Sequence, residues 1–197
     1  GSVDRVKNLD DPRLIPWKQR YNNLSSERLL TRGEFVFLIV DFSQAHVTSS
    51  GVVSRSYRDV SPRNRYFPWI EYATKKGIIH GTRKGYFEPN RMITRAEATK
   101  IFAEASGLTG TLSQSSFIDV PLTHSLAPYI AILFDRCLID GKNTKDGKIL
   151  FGSGRIFVPE NGITRDEALK ILVNLSLGTS SGNRRADVTA SGMTPTI

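Results

Sequence analysis

The sequence predicts a mostly α-helical fold, with helix-loop-helix units in a pseudo-threefold arrangement around a central helical bundle. Three observations predict it: an ordered set of residues recurs sixty to seventy positions later, each recurrence holds two helix-forming stretches, and the second stretch carries an apolar stripe at helical spacing. The 197-residue chain is 39% hydrophobic, enough to build a core at this length. Lys and Arg total 27 against 19 Asp and Glu, a net charge of +8 that favours an anionic partner without choosing among nucleic acid, acidic glycan and membrane surface. The single cysteine, Cys137, excludes an internal disulfide and a cysteine-built zinc cage. No run approaches the roughly 20 apolar residues of a membrane-spanning helix. Gly1-Ser2 reads as a cloning remnant, and no charged-then-apolar leader follows it.

The repeat is read residue by residue. Tyr57-Arg58-Asp59-Val60 recurs as Phe117-Ile118-Asp119-Val120, Pro68-Trp69-Ile70 as Pro128-Tyr129-Ile130, and Ile79-His80-Gly81 as Ile139-Asp140-Gly141. Phe87-Glu88-Pro89 then maps onto Phe157-Val158-Pro159, and Ile93-Thr94-Arg95-Ala96-Glu97-Ala98 onto Ile163-Thr164-Arg165-Asp166-Glu167-Ala168. The offset grows by ten because of an insertion within Asn143–Ile156, expected to be a surface loop. The second half of the unit occurs a third time as Leu30-Thr31-Arg32-Gly33-Glu34-Phe35.

In chain order, residues 1–23 form an extension in which Pro16-Trp17 could be the relic of a first helix, 24–56 a partial first unit with linker, and 57–116 a second unit with linker. Residues 117–178 form a third unit with the insertion, and 179–197 a polar tail; Arg184-Arg185-Ala186-Asp187-Val188 could begin another unit. The first helix of the second unit is expected from Pro68 to Lys76, with Gly77 as its stop. Its counterpart ends at Cys137, read as a small, partly buried residue at a helix end. Second helices are marked by Phe35, Leu38, Ile39, Phe42; by Ala98, Ile101, Phe102, Ala105; and by Ala168, Ile171, Leu172, Leu175. The Ser/Thr/Gly-rich stretches Ser43–Ser56, Thr109–Ser116 and Thr179–Ile197 are connections or tail.

Thr followed three residues later by Glu before an apolar run is a capping box, which assigns Thr31/Glu34, Thr94/Glu97 and Thr164/Glu167 to helix starts. Arg32, Arg95 and Arg165 occupy the first helical turn, where the macrodipole disfavours a cation. Two readings stand. A guanidinium beside free helix-start N–H groups could hold a carboxylate or phosphate, or each arginine could form an internal salt bridge, for instance to Asp59 or Asp119. On the first reading Arg95→Ala weakens binding and leaves thermal stability nearly unchanged.

The ordered combination of Phe/Tyr-x-Asp-Val, Pro-aromatic-Ile, Gly-Ile-Ile-x-Gly, Phe-x-Pro and Ile-Thr-Arg-Ala-Glu-Ala resembles the S-layer homology family. Tyr57–Leu108 matches over a whole motif, Phe117–Leu177 with the insertion and Cys137 in a glycine position, and Leu30–Phe42 over the last third only. The resemblance implies a pseudo-trimeric domain that anchors an exported protein non-covalently to the bacterial cell wall by binding an anionic, commonly pyruvylated, polysaccharide in grooves between motifs. It implies that Arg32, Arg95 and Arg165 line the grooves, with Gly81, Gly141, Trp69 and Tyr129 nearby. Both rings could equally be core, Asp59 and Asp119 could hold local turns, and the two glycines could supply left-handed turns. Surface-layer proteins are the alternative partners, in a purely structural assembly module.

Catalysis is not expected. The repeated glutamates are accounted for as caps, His46, His80 and His124 do not recur, and no phosphate loop, nucleophile elbow or metal motif is present. No cofactor is implied. Nucleic acid is disfavoured because no recognition motif is found and basic residues are spread along the chain.

Overall fold

A proline inside the first turn starts the first helix of each unit, where its missing N–H costs nothing. The computed structural model, which describes residues 5–7, 9–24, 26–47, 55–109, 117–143 and 155–180, places α1 at Ile15–Arg20, α3 at Phe67–Lys75 and α5 at Ala127–Asp135, carrying Pro16, Pro68 and Pro128. Between α1 and α3 lies α2 (Arg32–Phe42); α4 (Arg95–Ala105) follows α3, and α6 (Arg165–Ser180) ends the described chain. The protein is mostly α-helical. Its named strands are β1 (Lys142–Asn143) and β2 (Arg155–Ile156), an antiparallel pair with Lys142 opposite Ile156 at the base of the insertion. The second unit has a single bridge there, Arg83 to Tyr86. The linker and insertion residues 48–54, 110–116 and 144–154, and the tail from 181 onward with Arg184-Arg185 and Asp187, lie outside the described residues.

The stops of α3 and α5 share one geometry. Gly77 has φ +69° and Cys137 φ +55°, and the next N–H folds back in each, Ile78 onto Ala73 O at 2.9 Å and Leu138 onto Leu133 O at 2.8 Å. Cys137 is exposed, which corrects the expectation of a partly buried residue: the left-handed stop turns its side chain outward.

Two further left-handed residues, Glu88 (φ +60°) and Val158 (φ +53°), follow Phe87 and Phe157. A carboxylate holds each turn. Asp59 accepts from the N–H groups of Phe87 and Glu88 at 2.9 and 2.7 Å, and Asp119 from those of Phe157 and Val158 at 2.8 and 2.7 Å. Gly81 and Gly141, in contrast, are not left-handed. Their requirement is space: a Cβ on Gly81 would lie 2.5 Å from Tyr86 O, and one on Gly141 2.6 Å from the Phe117 ring.

The second helices carry the core. Phe35, Leu38, Ala98, Phe102, Ala168 and Leu172 are fully buried, and the Phe35 and Phe102 rings meet edge to face at 5.0 Å. Burial exceeds the predicted stripes, taking in Val36, Val40, Ala103 and Val173. The segments entering these helices bridge one another in a closed triangle: Thr31 with Met92, Thr94 with Gly162, and Thr164 with Leu29. Each second helix then packs on the first helix of the next unit, α2 on α3, α4 on α5 and α6 on α1. The extended N-terminal segment completes the last interface, Val6 N–H donating to Asn174 Oδ1 at 2.7 Å and Val6 O accepting from Asn174 Nδ2 at 3.0 Å.

Two outcomes are expected. Cys137→Gly relieves a left-handed non-glycine and raises stability by about 1 kcal/mol, measured by urea unfolding. Asp59→Ala leaves two N–H groups without their carboxylate and costs about 2 kcal/mol by the same measurement.

Candidate functional site

Each second helix opens on a capping box. Thr31 Oγ1 accepts from Glu34 N–H at 3.2 Å while the Glu34 carboxylate accepts from Thr31 N–H at 2.8 Å. Thr94/Glu97 and Thr164/Glu167 repeat the pair. The next two N–H groups are taken up as well. Arg32 N–H donates to Arg91 O and Gly33 N–H to Pro89 O; Arg95 N–H donates to Asn161 O and Ala96 N–H to Pro159 O. The expectation of free donors at these helix starts is therefore corrected for α2 and α4: the neighbouring unit supplies their carbonyls.

The arginine side chains run across the same boundary. Arg32 Nε donates to Phe87 O at 2.9 Å and Nη2 to His80 O at 3.2 Å, while Nη1 lies 3.5 Å from Glu97. Arg95 repeats this one unit on, to Phe157 O at 2.9 Å, to Asp140 O at 3.5 Å, and 3.2 Å from Glu167. Each guanidinium also lies over a ring, 4.6 Å from Phe87 and 4.7 Å from Phe157. Arg165 donates instead to Tyr21 O and Leu24 O and pairs with its neighbour Asp166 at 2.7 Å. A cation is tolerated at a helix start because carbonyls and carboxylates surround it. All three arginines are buried, and burial lowers the pKa of Arg32 and Arg95, partly offset by Glu97 and Glu167 respectively. For Arg32 and Arg95 the ion-pair partner is the next unit's capping glutamate; Asp119 adds a favourable charge near Arg95, while the oxygens of Asp59 and Asp119 hold turns.

Burial would raise the Glu34 and Glu97 carboxyls, yet both lie below their ordinary value of 4.5. Hydrogen bonds from Arg28 and Thr31 N–H outweigh it at Glu34; those from Arg91 and Thr94 N–H, with the Arg32 and Arg91 charges, do so at Glu97.

Two positions on each second helix, one and two turns beyond this corner, face the interface with the next unit, and the three copies differ there. In the first, Phe37 packs edge to face on Trp69 at 5.0 Å and on Tyr21 at 6.1 Å. Asp41 accepts from Tyr21 OH at 2.9 Å and pairs with Arg20 at 3.0 Å. In the third, Lys170 pairs with Asp140 at 2.6 Å and donates to Lys7 O at 2.8 Å, while Asn174 is held by Val6. In the second, Lys100 and Glu104 line a pocket of about 210 Å3, together with Arg32, His80, Gly81, Thr82, Glu97, Ile101 and Leu126.

The predicted site residues divide accordingly. Arg32 and Gly81 share this pocket. Tyr129 stands beside it, its hydroxyl donating to Glu104 Oε1 at 3.3 Å, while Trp69 packs half-buried against the core at the first interface. Arg95 and Gly141 lie at the third, beside Asp140, and Arg165 holds the Tyr21–Leu24 turn. Sequence reasoning missed Lys100, His80 and Glu104. The signal was there: six residues after Thr31, Thr94 and Thr164 the chain reads Phe37, Lys100, Lys170, and ten residues after, Asp41, Glu104, Asn174.

Residues 56–99, which carry the second unit from the start of its Tyr-x-Asp-Val element into α4, match the family model of the S-layer homology domain. Domains of this class are non-catalytic modules that anchor proteins to cell-wall polymers. No curated protein matches the chain. Among the described residues no helix is long and apolar enough to cross a membrane.

Arg95→Ala removes a buried guanidinium with two carbonyl partners and one carboxylate partner, so the expectation of unchanged stability gives way to a loss of about 3 kcal/mol, read from the urea midpoint. Acid acts on the same corners. A carboxyl depressed on folding stabilises fully above its unfolded pKa and loses that contribution as pH falls through the folded one. Thermal midpoints should hold above pH 4.5 and fall below it, and Glu34→Gln should flatten that fall.

Proposed function

We propose that the chain anchors a bacterial surface protein non-covalently to the cell wall by binding an anionic, pyruvylated secondary wall polysaccharide, with the units arranged about a pseudo-threefold axis and the second interface as the working groove. The observation that carries this reading is the difference among the three interfaces in the described residues: Phe37 packs on aromatic rings at the first, Lys170 pairs with Asp140 and bonds the N-terminal segment at the third, and at the second Lys100 stands half-exposed in the wall of a pocket. Lys100 lies 3.8 Å from Glu104 and is the pocket cation with the freest reach, since Arg32 is committed to Phe87 O, His80 O and Glu97. In this reading Lys100 meets the ligand's carboxylate, Arg32 and Gly81 shape the floor, and Tyr129 flanks the sugar. Arg95, Gly141, Arg165 and Trp69 belong to the other two interfaces, where the chain's own groups pack or pair at the positions that Lys100 and Glu104 hold in the second. The protein then works outside the cell, in the wall or surface layer, without catalysis.

A second reading, assembly with surface-layer proteins, draws on Ile118 and Leu122, which stand 52% and 56% exposed on a turn of the third unit where the second carries Arg58 and Pro62.

Co-sedimentation with purified cell walls, before and after the accessory polysaccharide is stripped, tests the choice. Binding should disappear with the polysaccharide, and Lys100→Ala should weaken it roughly tenfold with little change in the urea midpoint. Equal binding to both wall preparations overturns the glycan reading and favours assembly.

A further inference from the structure

One atom of the pocket wall has no partner. Glu104 Oε1 accepts from Tyr129 OH at 3.3 Å and lies 3.8 Å from Lys100 Nζ, while Glu104 Oε2 is buried with no hydrogen bond. A buried carboxylate oxygen without a donor is costly, so native structures pair such atoms.

The other two copies show how the fold satisfies this position when left to itself. Asp41 receives the Tyr21 hydroxyl and both Nε and Nη2 of Arg20. Asn174 receives the Val6 N–H and returns its own amide to Val6 O. In both, the chain supplies donors from the segment that occupies the interface. At the second interface that space is the pocket, and the donor must come from what fills it.

We infer that Glu104 is a specificity-determining residue that selects a ligand carrying a neutral hydrogen-bond donor, a free sugar hydroxyl or amide N–H, beside its anionic group. This rests on the groove reading above. Glu97 and Glu104 are seven residues apart on one face of α4, about 10 Å along the axis, so the pocket has an end near Arg32 and an end near Glu104. Arg91 ties Glu97 down at 2.6 Å, leaving Glu104 as the acid that faces the ligand. An anion that offers only acceptor oxygens would meet Lys100 and be repelled by Glu104. A glycan satisfies both ends, carboxylate to Lys100 and donor to Oε2. A ligand cation is disfavoured because Lys100 already stands beside the carboxylate.

Isothermal titration with three probes tests this: a methyl hexopyranoside carrying a 4,6-linked pyruvate ketal with free 2- and 3-hydroxyls, its 2,3-di-O-methyl derivative, and inorganic polyphosphate. The full chain should prefer the free-hydroxyl glycoside to the O-methyl derivative by tenfold or more and bind polyphosphate weakest. Glu104→Leu should bring the two glycosides to within about twofold of each other and improve polyphosphate binding. Glu104→Gln, which keeps the shape and one acceptor, should retain a reduced preference at an unchanged thermal midpoint, and it serves as the test should the leucine variant fold poorly. Equal loss of both glycosides in the glutamate variants, or equal affinity for both in the unaltered chain, overturns the role of Glu104 while leaving the groove reading intact. Binding of neither glycoside by the unaltered chain overturns the groove reading, and the inference with it.

Discussion

Each second helix of the repeat starts on a guanidinium that crosses a unit boundary. Arg32 and Arg95 place a charge where an isolated helix would reject it, and they do so because the next unit presents two backbone carbonyls, a phenylalanine ring and a capping glutamate around that point. The carbonyls are in position because Asp59 and Asp119 hold Glu88 and Val158 left-handed, turning the chain back on itself. A β-branched valine in that conformation is strained. The two N–H bonds to Asp119 and the partner guanidinium together hold the turn that imposes this strain.

What could be read from the sequence was local. The proline starts and the apolar spacing of the second helices follow from helix geometry, in which partners lie three or four residues apart, so residue order alone carries them. The destinations of the arginines were not legible, because Arg32 meets His80 O and Phe87 O, roughly fifty residues along the chain and through backbone atoms that leave no side-chain signature. Gly81 and Gly141 show the same limit. Their recurrence signals a constraint, but whether the constraint is a left-handed turn or a close approach is decided by Tyr86 O and the Phe117 ring in space.

The three interfaces illustrate how a repeat diverges without losing its frame. Capping residues, corner arginines and core positions recur, since each stabilises the shared architecture. The positions that face the next unit are free to change, and Phe37, Lys100 and Lys170 turn equivalent surfaces into a packed seam, a pocket and an ion-paired closure. Differences between copies, more than their likeness, are where one chain departs from the common plan.

The N-terminal segment that closes the third interface fixes an order of events. Val6 and Asn174 exchange two hydrogen bonds across a separation of 168 residues, and Lys7 O receives Lys170. None of these contacts can form until α6 has been made, so the segment around Val6 stays without these partners while the 168 residues up to Asn174 are added. Closure of the third interface is thus the long-range step of the repeat, since its two sides lie much further apart in sequence than those of the first two.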